Sequence, residues 1–139
     1  MFNVSRSTGL CALLFCSCLL LTSQAYAFDL NGAWATGVDQ CKQVFVKKSD
    51  KITFAQFSEE FGRGFVVDGN DFRSKTSQCT ITSRKETGDT IDLQAACASE
   101  IMATSTNLRL KILDANSISR IFTDPAMAGM ELTFYRCSM

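Results

Sequence analysis

The chain has 139 residues, with fourteen basic and fourteen acidic side chains and no histidine. Its zero formal net charge leaves no electrostatic footprint for nucleic acid or an anionic bilayer. The lack of histidine excludes Ser-His-Asp and Cys-His catalysis, histidine-bearing zinc sites and histidine pH switching.

The N-terminal region carries one positive side chain, Arg6, and no acid. An uncharged apolar run follows over residues 10–21, then polar Thr22-Ser23-Gln24 and the small-x-small tripeptide Ala25-Tyr26-Ala27. A helix over the apolar run spans roughly 18 Å, short of a hydrocarbon core of about 30 Å. Residues 1–27 therefore read as a secretory signal peptide cleaved after Ala27. The mature chain, residues 28–139, is expected as a single domain in the periplasm or outside the cell, with no membrane span after cleavage. Cys11, Cys16 and Cys18 leave with the leader; Cys41, Cys79, Cys97 and Cys137 remain. Only Arg6 is lost among the charges, so the mature net charge is −1.

The mature sequence alternates short β-branched and aromatic runs with Gly, Asp and Asn, which predicts an all-β domain of about eight strands, a small antiparallel barrel or a sandwich. Strands are expected over residues 30–36, 41–47 and 51–54. Phe54, Phe57 and Phe61 then fall at helical spacing, so residues 55–61 predict one short helix. Residues 64–67 and 71–73 flank Asp68-Gly69-Asn70, a hairpin turn signal. Residues 79–86 and 90–97 flank Thr87-Gly88-Asp89. Residues 98–107 show no period and read as a loop with a helical turn. Strands over 108–113, 118–123 and 131–137 complete the chain.

A hairpin centred on Gly88 places Cys79 opposite Cys97 and sorts Cys79, Ile81, Leu93, Ala95 and Cys97 to one face. On the other face Arg84 falls opposite Asp92. Four cysteines in an exported domain point to two disulfides, and three connectivities are open. The register favours Cys79–Cys97, leaving Cys41–Cys137 to join an early strand to the last one.

Neither a Ser-x-x-Lys motif nor a Gly-rich phosphate loop is present, and the cysteines lack the paired spacing of a zinc knuckle. No cofactor or metal is expected. Three local carboxylate pairs remain for catalysis: Glu59 with Glu60, Asp68 with Asp71, and Asp89 with Asp92. Each lies in a turn or on a polar face, where solvation accounts for it, so the domain reads as non-enzymatic. Oxygen density at Asp68-Gly69-Asn70-Asp71 is compatible with calcium, but the rest of a twelve-residue loop is missing. Phe57, Phe61 and Phe65 form one candidate apolar patch for a ligand or partner, and Met127 with Met130 form a second. Most of the phenylalanine rings read as core, and tucking over a barrel mouth explains the methionines equally well.

The opening Leu30-Asn31-Gly32-Ala33-Trp34, with Cys41 close behind, resembles the Gly-x-Trp start of lipocalin-like barrels, and most closely that of the bacterial periplasmic metalloprotease inhibitors. That resemblance implies a barrel whose base is plugged by Trp34, and inhibition through an inserted N-terminal arm. Here only Phe28 and Asp29 precede Leu30 in the mature chain, and it carries two more cysteines than that family. Over nearly the full mature length the chain resembles uncharacterised small exported proteins of rhizobia-like alphaproteobacteria. The shared features are Val44-Phe45-Val46-Lys47-Lys48, Gly64-Phe65-Val66-Val67-Asp68-Gly69-Asn70, Cys79-Thr80-Ile81, Ala96-Cys97, Arg120-Ile121-Phe122 and Tyr135-Arg136-Cys137. This second resemblance implies export and the four cysteines, and no activity. The resulting expectation is a monomeric exported domain that binds an unknown protein or a small apolar ligand, with inhibition of a secreted or periplasmic hydrolase as the alternative.

Overall fold

A computed structural model describes residues 27–139. The segment read as a signal peptide, residues 1–27, lies outside the described residues but for Ala27. Ten strands follow: β1 (Gly32–Ala35), β2 (Phe45–Lys48), β3 (Lys51–Phe54), β4 (Gly64–Asp68), β5 (Asp71–Arg73), β6 (Gln78–Thr87), β7 (Thr90–Ala98), β8 (Ala103–Asp114), β9 (Ser117–Ile121) and β10 (Glu131–Cys137). Eight of them close into an antiparallel barrel in the order β1-β10-β9-β8-β7-β6-β5-β4, and β2 with β3 form a separate hairpin. Closure falls to four-residue β1, which pairs on one side with β10 (Trp34 opposite Arg136) and on the other with β4 (Trp34 opposite Phe65). The fold is a barrel and not a sandwich.

Side chains alternate across the wall, as strand geometry requires. Inward positions form the main core, with Trp34, Phe65, Ile91, Leu93, Ile118 and Phe134 among them. Phe65 is the hub of an aromatic group, 6.2 Å from Trp34, 4.8 Å from Phe72 and 5.0 Å from Phe134 between ring centroids. Outward Ala33, Ala35 and Val66 form a second core with Cys41, Val44, Phe45 and Cys137, where the helical turn α1 (Cys41–Val44) and the β2–β3 hairpin pack on the outside of the wall. Gly64 permits that approach. A Cβ there would lie 2.7 Å from the Phe45 ring and 2.7 Å from the Trp34 carbonyl oxygen.

The two disulfides brace these layers. Cys79–Cys97 crosses the β6–β7 pair and closes a separation of 18 residues, whereas Cys41–Cys137 ties α1 to the end of β10 across 96 residues. The register that set Cys79 against Cys97 holds as far as Ile81 opposite Ala95. A bulge between Ile81 and Ser83 then shifts the pairing, because the turn consists of both Gly88 and Asp89 and not of Gly88 alone. The expected Arg84–Asp92 pair is consequently not formed. Arg84 stands opposite Leu93 and binds Glu86, while Asp92 accepts from Arg109 Nε on β8 at 2.7 Å. That hydrogen bond holds the Asp92 carboxyl below its usual range.

Three further expectations are corrected. Residues 41–44 form a helical turn where a strand was expected, because it directs Cys41, Val44 and the following Phe45 together onto the wall. Residues 55–61 form no α-helix; Phe57 takes a left-handed φ of 56° and only a 3₁₀ turn, Ser58–Glu60, follows. Residues 103–107, expected in a loop, begin β8.

The barrel base is closed by residues 28–31. Trp34 is fully buried, and its indole Nε1 donates to the Leu30 carbonyl at 2.8 Å. The Arg136 guanidinium lies 4.3 Å from the Trp34 ring centroid and donates to the carbonyls of Asn31 and Asp29, each at 2.6 Å. Asn31 Oδ1 in turn accepts from the Gly69 amide at 2.8 Å.

Two outcomes are expected of variants. Replacing Cys41 and Cys137 with serine should lower unfolding free energy by about 4–5 kcal/mol, against roughly 3 for the Cys79/Cys97 pair, because the longer loop constrains the unfolded chain more; urea denaturation of each double variant measures this, and equal losses would refute the ranking. Arg136→Ala should cost about 2–3 kcal/mol in the same assay, since charge-assisted bonds to two backbone carbonyls and the stack on Trp34 are lost together. Arg136→Lys should recover less than half, lacking the planar fork.

Candidate functional site

With the base plugged by Trp34, a cavity of about 1200 Å³ takes in the upper part of the barrel and its open opposite end, where it reaches Val44 and Phe54 of the outer layer. Small-molecule pockets commonly span about 300–1,000 Å³. The wall is built from inward positions of strands on every side: Phe65 of β4, Phe72 of β5, Cys79 of β6, Cys97 of β7, Leu108 and Leu110 of β8, and Leu132 and Phe134 of β10. Thr104 and Thr106 continue the inward row of β8 toward the mouth, so that strand is apolar inside only in its deeper half. This explains why residues 103–107 show no apolar period.

Charged lining residues are confined to the mouth: Glu59, Arg63, Lys75, Glu100 and Arg120. Lys75 Nζ lies 3.8 Å from the Glu59 carboxylate and donates to the Ala55 carbonyl at 2.9 Å. Arg120 is half-buried, with its guanidinium 4.5 Å from the centre of the Phe122 ring. Burial in the wall, and secondarily the like charge of Arg63, hold its pKa below that of free arginine. Ser58, also lining the cavity, is buried and its hydroxyl has no hydrogen-bond partner.

The apolar residues singled out from sequence are not brought together. Phe65 faces the barrel interior and lines the cavity, 5% exposed, whereas Phe57 and Phe61 are 57% and 40% exposed and lie outside it. Met127, on the 3₁₀ turn Pro125–Met127, and Met130 are exposed on the β9–β10 connection and do not line the cavity. Ile101 and Met102, on the β7–β8 connection, do line its rim and are 89% and 59% exposed.

The carboxylate pairs also lie apart from one another. Asp68 and Asp71 face each other across the Gly69-Asn70 turn at the base end, Asp89 sits in the Gly88-Asp89 turn, and Glu59 with Glu60 is on the 3₁₀ turn at the mouth. Among the described residues no group of three or more His, Cys, Asp or Glu is placed to hold a metal ion. No described helix is long and apolar enough to cross a membrane. The two disulfides are compatible with an oxidising compartment.

Arg120 and Ser58 were missed in the sequence. The one available signal for Arg120 was its alternation with Ile118, which places both on the same face of β9. Nothing marks Ser58 before the fold buries it. Comparison with family models, with curated proteins and with solved structures finds no match for this chain.

A buried hydroxyl without a partner costs about 1–3 kcal/mol. Ser58→Ala should therefore leave stability unchanged or raise it by about 1 kcal/mol in the ligand-free protein, measured by urea denaturation. A clear loss of stability would show that the hydroxyl is satisfied within the fold.

Proposed function

We propose that this domain is an exported, non-enzymatic binding protein, acting as a monomer in the periplasm or outside the cell, that holds a small apolar molecule inside the barrel. The observation carrying this reading is the cavity above the Trp34 plug, with one mouth and a wall of phenylalanine and leucine side chains. Removing apolar surface from water supplies the binding energy, about 25 cal/mol per Å² of ligand and wall buried. A stiff, disulfide-braced barrel adds to affinity by losing little freedom on binding.

The alternative, inhibition of a secreted hydrolase through an inserted arm, draws no support from residues 28–31. Arg136 binds their carbonyls, and the Phe28 amide donates to the Glu86 carboxylate at 3.3 Å.

The reading is tested with a neutral, environment-sensitive fluorophore such as N-phenyl-1-naphthylamine. Saturable 1:1 binding with a blue-shifted emission is expected. Leu132→Phe, which narrows the cavity, should weaken it by roughly fivefold, or about 1 kcal/mol. Absence of saturable binding, together with native mass spectra showing only bare protein after purification from the exporting host, would overturn the proposal.

A further inference from the structure

Resting on the cavity as the binding site, we infer that its ligand is a single-chain amphiphile with an anionic head, the tail lying among the phenylalanines and the head meeting Arg120 at the mouth. On β9, Arg120 stands opposite Leu110 of β8 and opposite Leu132 of β10, and all three line the cavity. The guanidinium thus leaves the wall between two leucines, next to the strand's last residue, Ile121.

A charge set in an apolar wall is costly, and proteins ordinarily offset the cost with a carboxylate. None serves here. The ion pairs among the described residues are Lys75–Glu59, Arg84–Glu86 and Arg109–Asp92. Glu131 is adjacent in register, opposite Ile121, but its carboxylate accepts from the Ser119 hydroxyl at 3.2 Å. The Phe122 ring orients the guanidinium without neutralising it. The nearby Arg63 adds a second positive charge to the same mouth.

Two other observations bear on the head group. Ser58 presents a buried hydroxyl with no acceptor in the protein, lining the same cavity. Of the remaining charges at the mouth, Glu59 and Lys75 pair with each other. Glu100 belongs to the β7–β8 connection, where it also borders the groove beside the Ser74–Ser77 turn. Below Arg120 the lining contains no ionisable side chain. The cavity is therefore polarised along its length, cationic at the β9 side of the mouth and apolar toward Trp34. A carboxylate, sulfate or phosphate monoester on an alkyl chain matches that order. A neutral hydrocarbon would leave Arg120 without a counter-charge, and a cationic amphiphile would meet it with repulsion.

The test is competition against the neutral fluorophore by chain-matched dodecanoate, dodecyl sulfate, dodecanol and dodecyltrimethylammonium, each below its micelle concentration. Dodecanoate and dodecyl sulfate should bind at least about tenfold more tightly than dodecanol, the size of effect one charge-assisted hydrogen bond supplies, with the cation weakest. Arg120→Gln should bring dodecanoate down to the affinity of dodecanol in the same variant, and Arg120→Lys should keep most of the preference. If the fluorophore binds but dodecanol equals dodecanoate on the unaltered protein, the anionic head is refuted and the cavity reading stands. An Arg120→Gln protein that is folded by circular dichroism and keeps the full preference would likewise refute the role of Arg120. If neither fluorophore nor any amphiphile binds, the cavity reading itself fails.

Discussion

The contact on which the architecture depends is the one that stoppers one end of the barrel. Trp34 sits on four-residue β1, which pairs on both sides, and its indole N–H turns back to the Leu30 carbonyl. Arg136, opposite it on β10, covers the ring and gathers the carbonyls of residues 29 and 31. An eight-stranded barrel is open at both ends unless something fills them. Filling one end with a large, fully bonded aromatic leaves the interior accessible only from the other. The location of the cavity and the depth of its apolar wall follow from that single plug.

The outer brace follows from a second constraint, one of side-chain size. The wall formed by β1, β4 and β10 turns Ala33, Ala35 and Val66 outward, and Gly64 leaves room for the Phe45 ring. Small outward residues would expose a flat apolar strip on a free barrel. Here α1 and Phe45 cover it, and Cys41–Cys137 holds the cover down. The chain thus makes two cores, inside and outside the same three strands. This explains how a strand as short as β1 can close a barrel: each of its residues from Ala33 to Ala35 is fully buried, from alternate sides.

Legibility in the sequence tracked how many structures each pattern permits. The Asp68-Gly69-Asn70 and Gly88-Asp89 turns were readable because Gly69 and Gly88 take φ near 61°, a conformation that few other residues adopt. The Cys79–Cys97 register was readable because period-two burial admits one register in two. The bulge beyond Ile81 was not, since the alternation of Cys79 and Ile81 against Cys97 and Ala95 extrapolates as an unbroken register to a turn centred on Gly88. Cys41, Val44 and Phe45 suit a helical turn or a strand, and only the Cys137 partner across the wall decides between them. Arg120 was easily misread for a related reason. A lone charge in an alternating strand ordinarily marks the solvent face, whereas its spacing from Ile118 puts Arg120 on the inward one and leaves Ser119 outward, bound to Glu131.

Unsatisfied groups are distributed unevenly along the barrel axis. At the base, the polar groups that approach the core are bonded: Trp34 Nε1, the carbonyls of residues 29 to 31, and Asn31 Oδ1 each have a named partner. At the mouth the opposite holds among the described residues, with a buried Ser58 hydroxyl without an acceptor and a half-buried Arg120 without a carboxylate. Folded proteins agree with themselves at every level except where function imposes a local cost. An orphaned donor on the 55–63 segment and an uncompensated cation on β9 thus meet at one opening, the one through which the proposed ligand would enter.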